Sequence, residues 1–347
     1  MRRPLAWLIA LSLLLLGAAC SDDDGADDPA ARADTGVDAG ADEADGDGDG
    51  DGASLSGDVE IELLDAGQEP RRALRLRPQP GCEQRVLQRQ ELTQRAVAGE
   101  VDGVPLSEEA LAQASEASGN STEYDLTYRC EELDDERIAV VNRFDDVRLL
   151  AGAENQSAEA EDLIESLVGA EGRIVYDRQG RILEAEAPNV DIDDERIGPD
   201  AAAALEEMLD NLGSTIEQGA NPFPDEPVGL GGRWRVTIEI DIAGLAARSV
   251  NEYTVTSIDG DRVQADVALD MEFLPGEIDF PGMPPGGSAE IVEGRATGVG
   301  TSSWDLSGIV GYTQQVIDGT LTMRITADDG SIEMTLAQRQ VLALQPR

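Results

Sequence analysis

The sequence predicts an α+β, mostly β domain: one large, curved antiparallel sheet with two helices inserted into it. Three observations carry that expectation. Long stretches alternate apolar and polar residues with period two, most clearly Trp234, Val236, Ile238, Ile240 and Ile242 against Arg235, Thr237, Glu239 and Asp241. Sustained helical spacing with end signals occurs in two places in mid-chain. The strands are too many for a flat sheet, because the natural twist of each strand accumulates until the sheet curls.

The chain divides into three parts. Residues 1–19 hold two arginines (Arg2, Arg3), an apolar run from Leu5 to Leu16 and small residues leading into Cys20, the order of a secretory signal. An apolar run of about a dozen residues, at ~1.5 Å per residue, is too short to span a bilayer core of ~30 Å. Leu16-Gly17-Ala18-Ala19-Cys20 resembles the lipobox of bacterial lipoproteins, although Gly17 stands where a larger aliphatic residue is usual. The resemblance implies that Cys20 carries a diacylglyceryl thioether, becomes the first mature residue and anchors the chain to a membrane of the cell envelope.

Residues 20–57 continue as Asp, Gly and Ala with little apolar surface to offset ordering entropy, and are expected to form a disordered acidic tether. Asp47, Asp49, Asp51 and Asp58 partly match a calcium loop, but the twelfth ligand is not Glu and no helix flanks it. Low-complexity Asp-Gly repetition is the reading preferred, and no metal site is assigned.

Residues 58–347 are expected to form a single exported domain. Val59 to Leu63 alternates, as does Ala73 to Leu76 before the Pro78-Gln-Pro80-Gly81 turn. Cys82 to Val97 is long, polar and arginine-rich and suits an exposed strand. Ser107 caps a short helix over 108–117. Tyr124, Leu126, Tyr128 and Cys130 then share one strand face, and Ile138 to Leu150 forms the next strand. The first inserted helix starts at Ser157, carries Leu163, Ile164, Leu167 and Val168, and stops at Gly169. Arg173–Tyr176 and Ile182–Ala185 flank Asp177-Arg-Gln-Gly180 as a hairpin. The second helix opens at Pro199, carries Leu205, Met208, Leu209 and Leu212, and stops at Gly213. Beyond it the chain is nearly all strand: 234–242, 263–273, 291–297, 302–311, 321–325 and 332–342, with a Pro/Gly-rich loop at 275–287.

Composition prunes the chemistry. The chain carries 71 acidic residues against 26 basic ones, no histidine and a net charge of −45, and every base is arginine. Such a surface repels phosphate backbones, so no nucleic-acid partner is expected. Without histidine there is no Ser-His-Asp or Cys-His arrangement, and without lysine no Schiff base and no P-loop. Carboxylate pairs such as Asp134-Asp135 or Asp145-Asp146 are better read as solvated surface than as a glycosidase site. No catalytic residue, cofactor or enzyme activity is assigned. Cys82 and Cys130 remain as an even pair in an exported domain, where a disulfide is favoured over two free thiols.

The layout resembles the half-barrel of bacterial envelope carriers of lipids and lipoproteins. It is more closely similar to an uncharacterised family of bacterial lipoproteins in Gly232-Arg-Trp234, Tyr176-Asp-Arg-Gln-Gly180 and Gly298-Val-Gly300 followed by Trp304-Asp-Leu-Ser-Gly308. These motifs mark strand turns over residues 73–345, and the resemblance carries no catalytic residue. It implies a half-barrel-like sheet whose concave side holds a lipid or a lipidated protein, with Leu205, Leu209, Trp234 and Val267 as candidate contacts. The alternative is a non-enzymatic surface or periplasmic interaction module in which the same residues form a filled core. Alternation alone does not separate the two.

Overall fold

Period-two patterning produces strand over most of the described residues. The computed structural model describes residues 59–115, 119–134, 136–151, 166–190, 222–242, 245–278, 287–327 and 330–347. The strands in chain order are β1 (Val59–Asp65), β2 (Glu83–Val101), β3 (Val104–Pro105), β4 (Gly119–Leu133), β5 (Arg137–Ala151), β6 (Glu171–Asp177) and β7 (Ile182–Asn189). They continue as β8 (Arg233–Ile242), β9 (Leu245–Asp259), β10 (Arg262–Phe273), β11 (Gly276–Ile278), β12 (Ser288–Asp305), β13 (Tyr312–Ala327) and β14 (Gly330–Pro346). All belong to one antiparallel sheet in the order β1-β8-β9-β10-β12-β13-β14-β2-β4-β5-β6-β7, with β11 beside β12 and β3 beside β2. The last strand pairs along β2, from Ile332 opposite Val101 to Pro346 opposite Val86, and so joins the two halves of the chain.

The sheet curls. Ile138 and Val140 on β5 share one buried cluster with Trp234 on β8, Tyr253 on β9, Val263 and Val267 on β10 and Trp304 on β12. Strands far apart in the order reach that cluster around two irregular segments, 66–82 and 222–232, which bring Leu74, Leu76, Phe223 and Val228 into its centre. These segments plug one end of the curved sheet. Gly229 is required there: a Cβ would lie 1.8 Å from the Gln68 carbonyl oxygen.

The other end is filled by α1 (Glu108–Ser115). Ser107 Oγ accepts from the Ala110 N–H at 3.2 Å and caps it, with Glu108 and Glu109 in the first turn. Leu111 and Ala114, with Leu106, pack on a cluster containing Ala96, Phe273, Leu321, Met334 and Leu336. A bulge in β2 at Val97 leaves the Ala96 N–H free of the ladder, and it donates to Ser115 Oγ at 2.9 Å.

Several expectations change. Residues 73–76 are not strand: the Leu76 N–H donates to the single carbonyl of Arg178 rather than to a ladder, and the following Arg77 N–H donates to that of Leu306. The stretch after Cys82 is no exposed strand but lies inside the sheet, between β14 and β4. The expected strand at 291–297 and the first part of the one at 302–311 form one strand, β12, which ends at Asp305, while 306–311 form a turn and loop. β9 was not anticipated, since its polar sequence masks the alternation. Among the described residues there is one helix, α1, rather than two inserted ones. The expected helix over 199–212 lies outside the described residues, as does the first helix apart from its end, where Ser166 and Leu167 are helical.

Candidate functional site

The site is the middle of the concave face, between the aromatic plug and α1. At the plugged end the indole of Trp234 stacks on Tyr253 with centroids 4.9 Å apart and planes at 10°, while Phe223 meets Trp304 edge-on at 5.2 Å. The Trp234 indole N–H donates to the Pro222 carbonyl at 3.2 Å. Toward the other end the wall changes character. Going across β13, β14 and β2, inward positions at middle height read Gln315, Leu342, Gln90, then Ile317, Gln340, Leu92, then Gly319, Gln338, Gln94. Gln88, Gln90, Gln315, Gln338, Gln340 and Leu342 are half-buried, as are Leu269 and Met271 on β10, which β12 separates from β13. Gly300 lets the wall close up here, since a Cβ would sit 2.6 Å from Gln315 Cγ and 2.3 Å from the Gln314 carbonyl oxygen.

Charge is sorted by face. Among the described residues, the inward positions of β10, β12, β13, β14 and β2 carry no Asp, Glu or Arg, following register and strand alternation. On the convex face arginines sit between acids of adjacent strands, as Arg324 does between Glu290 and Glu333, and Arg235 between Glu62 and Glu252. The tyrosines that face inward stay neutral. Burial pushes the Tyr128 hydroxyl up to about 12 and raises those of Tyr253 and Tyr176 further. Burial also raises Tyr124, against a hydrogen bond from Thr122.

Cys82 and Cys130 form a disulfide, with Cα atoms 5.2 Å apart. They continue the β2–β4 register one step beyond Glu83 and Arg129, and the Cys130 N–H donates to the Cys82 carbonyl at 2.9 Å. Trp234 and Val267 both lie in the cluster at the plugged end, buried to 0% and 3% exposure, rather than in the half-exposed middle. Leu205, Leu209 and Cys20 lie outside the described residues, as do Asp47 to Asp58.

The glutamines were missed from the sequence, although a signal was there. In Glu83–Ala96 one phase reads Gln, Val, Gln, Gln, Leu, Gln, Ala, while the other holds every charge.

A groove of about 750 Å³ also opens at the plugged end, lined by Arg75, Arg77, Pro78, Glu136, Arg178 and Gln179 among others. Its arginines hold the plug. Arg75 donates to the carbonyls of Leu74 and Pro224, Arg77 pairs with Asp261, and Arg178 donates to the carbonyls of Leu76 and Asp134. Among the described residues no group of His, Cys, Asp or Glu is arranged to hold a metal ion.

Comparison with known proteins finds no matching family model and no match among curated sequences.

Proposed function

We propose that this chain is a lipid-anchored bacterial envelope protein whose concave sheet binds a lipid or another hydrophobic ligand. In this reading it is akin to the half-barrel carriers, with Cys20 holding it to the membrane. One observation supports it above the rest. The middle of the concave wall is uncharged and half-exposed, in a chain of net charge −45. A face kept free of charge while the opposite face is crowded with it suits a ligand with a large apolar part. Burying an acyl chain of about 14 methylenes would contribute on the order of 10 kcal/mol by transfer, at ~0.8 kcal/mol each. Association and ordering would offset a good part of this, leaving affinity near micromolar.

The test is native mass spectrometry of the Cys20→Ala chain purified from a bacterial envelope, beside its Leu342→Trp counterpart. Lipid adducts that vanish when the tryptophan fills the wall support the carrier. A clean apo mass in both rejects it.

A second reading, a protein-interaction module, is favoured by one feature of the convex face. Val299 is 70% exposed there and stands in a lateral row with Ala268, Val316 and Val341 on neighbouring strands. A Val299→Glu variant that loses a co-purifying protein while keeping lipid would favour this module.

A further inference from the structure

We infer that the concave wall selects uncharged acylglycerols over fatty acids and phospholipids, and that its glutamines make the selection. The inference rests on the lipid-binding reading above and specifies the ligand's chemistry.

A wall meant only for acyl chains needs no amides. Here five half-buried glutamines, Gln88, Gln90, Gln315, Gln338 and Gln340, occupy inward positions on three adjacent strands. None of the five makes a side-chain hydrogen bond within the described residues. Four of them have an aliphatic neighbour across the ladder: Gln88 faces Leu344, Gln90 and Gln315 flank Leu342, and Gln340 lies between Ile317 and Leu92, while Gln338 lies between Gly319 and Gln94. Each amide offers two donors and one acceptor oxygen. Ester carbonyls and a free hydroxyl fit that set, with the glycerol esters meeting the amides and the chains meeting Leu342, Leu269 and Met271.

Anionic headgroups do not fit. A carboxylate or phosphate brought to this wall would lose water and meet no arginine, since the arginines of these strands stand on the convex side. The chain's net charge of −45 repels it again on approach. A neutral ester pays neither penalty.

The test uses the full chain carrying Cys20→Ala and three probes: dioleoylglycerol, oleate and dioleoylphosphatidylglycerol. Each is presented in phosphatidylcholine vesicles, and uptake by the protein is measured after the vesicles are removed. At pH 8 uptake of dioleoylglycerol should exceed that of either anionic probe at least tenfold. The double variant Gln338→Leu/Gln340→Leu should lower dioleoylglycerol uptake at least fivefold with an unchanged melting temperature. Gln340→Arg, which places a cation on the wall, should raise oleate uptake at least tenfold. Equal or better uptake of oleate or phosphatidylglycerol by the parent chain would overturn the selectivity and leave the lipid-binding reading standing. Selective uptake that survives both glutamine variants would overturn the role of the amides. No uptake of any probe would reject the lipid-binding reading, and this inference with it.

Discussion

Leu76 and Arg178, 102 residues apart, bind each other in both directions. The Leu76 N–H donates to the Arg178 carbonyl at 2.8 Å, and the Arg178 guanidinium donates back to the Leu76 carbonyl at 3.3 Å. The next residue, Arg77, donates its N–H to the Leu306 carbonyl just beyond β12. One irregular segment thus ties the β6–β7 turn to the end of β12 across the mouth of the curved sheet. Replacing Arg178 by Gln should cost about 1–3 kcal/mol, because the part-buried Leu76 carbonyl loses a charged donor. A urea titration should show a lower midpoint at unchanged slope, and a midpoint equal to the parent's would dissolve the tie.

Phe223 is 1% exposed and sits against Trp304 and Trp234 with centroids 5.2 and 6.4 Å away. Phe223→Ala should destabilise by about 3–5 kcal/mol, combining lost transfer energy with a cavity. Near-ultraviolet circular dichroism should weaken, since the two tryptophans lose the ring that holds them edge-on.

The Cys82–Cys130 bridge closes a separation of 48 residues. In the chain-entropy model such a loop stabilises the fold by about 4 kcal/mol. Reduction should therefore lower the melting temperature by roughly 10 °C. Alkylation of both thiols in unreduced, unfolded protein would show the bridge absent in solution.

Asp225 is held below the ordinary carboxylate range by hydrogen bonds from the Gln179 amide and from Arg181, with the charges of Arg181 and Arg75 adding to the effect. Its folded pKa is lowered, so its contribution is fully present above the unfolded value near ~4 and is lost as pH falls through the folded value. Asp225→Asn should lower the urea midpoint at pH 7, and the gap to the parent should narrow by pH 3. A gap that widens in acid would reverse the sign and refute the assignment.

Membrane attachment through Cys20 predicts a simple partition. In a two-phase detergent separation the parent chain should enter the detergent phase and the Cys20→Ala chain should leave it. Equal partition of the two would remove the anchor from the proposal.

Much of the sheet was legible because alternation is a local property. Trp234 to Ile238, Val263 to Phe273 and the hairpin around Asp177 to Gly180 each display their inward set within a few residues. The disulfide was legible too, because the even pair, the expectation of export and the inward phase of Cys130 pointed the same way. β9 was not: Ser249 and Asn251 face inward, so its period-two signal is polar on both sides. The same ambiguity hid the site, since glutamine on a strand reads as solvent-facing until its neighbours across the ladder are known.

By itself the sequence determined which phase of each alternating strand is charged, and therefore which face could turn inward. It also favoured the pairing of Cys82 with Cys130 over two free thiols, and it ruled out histidine and lysine chemistry by composition. Only the tertiary structure decided which strands stand side by side, because strand order is set by contacts between segments that can lie more than two hundred residues apart, as β2 and β14 do. That order brings Gln90, Gln315 and Gln340 onto one patch of wall and seats Trp234 and Val267 in the plugged end. Periodicity reports which way a side chain points. The curl and register of the sheet determine what it then meets.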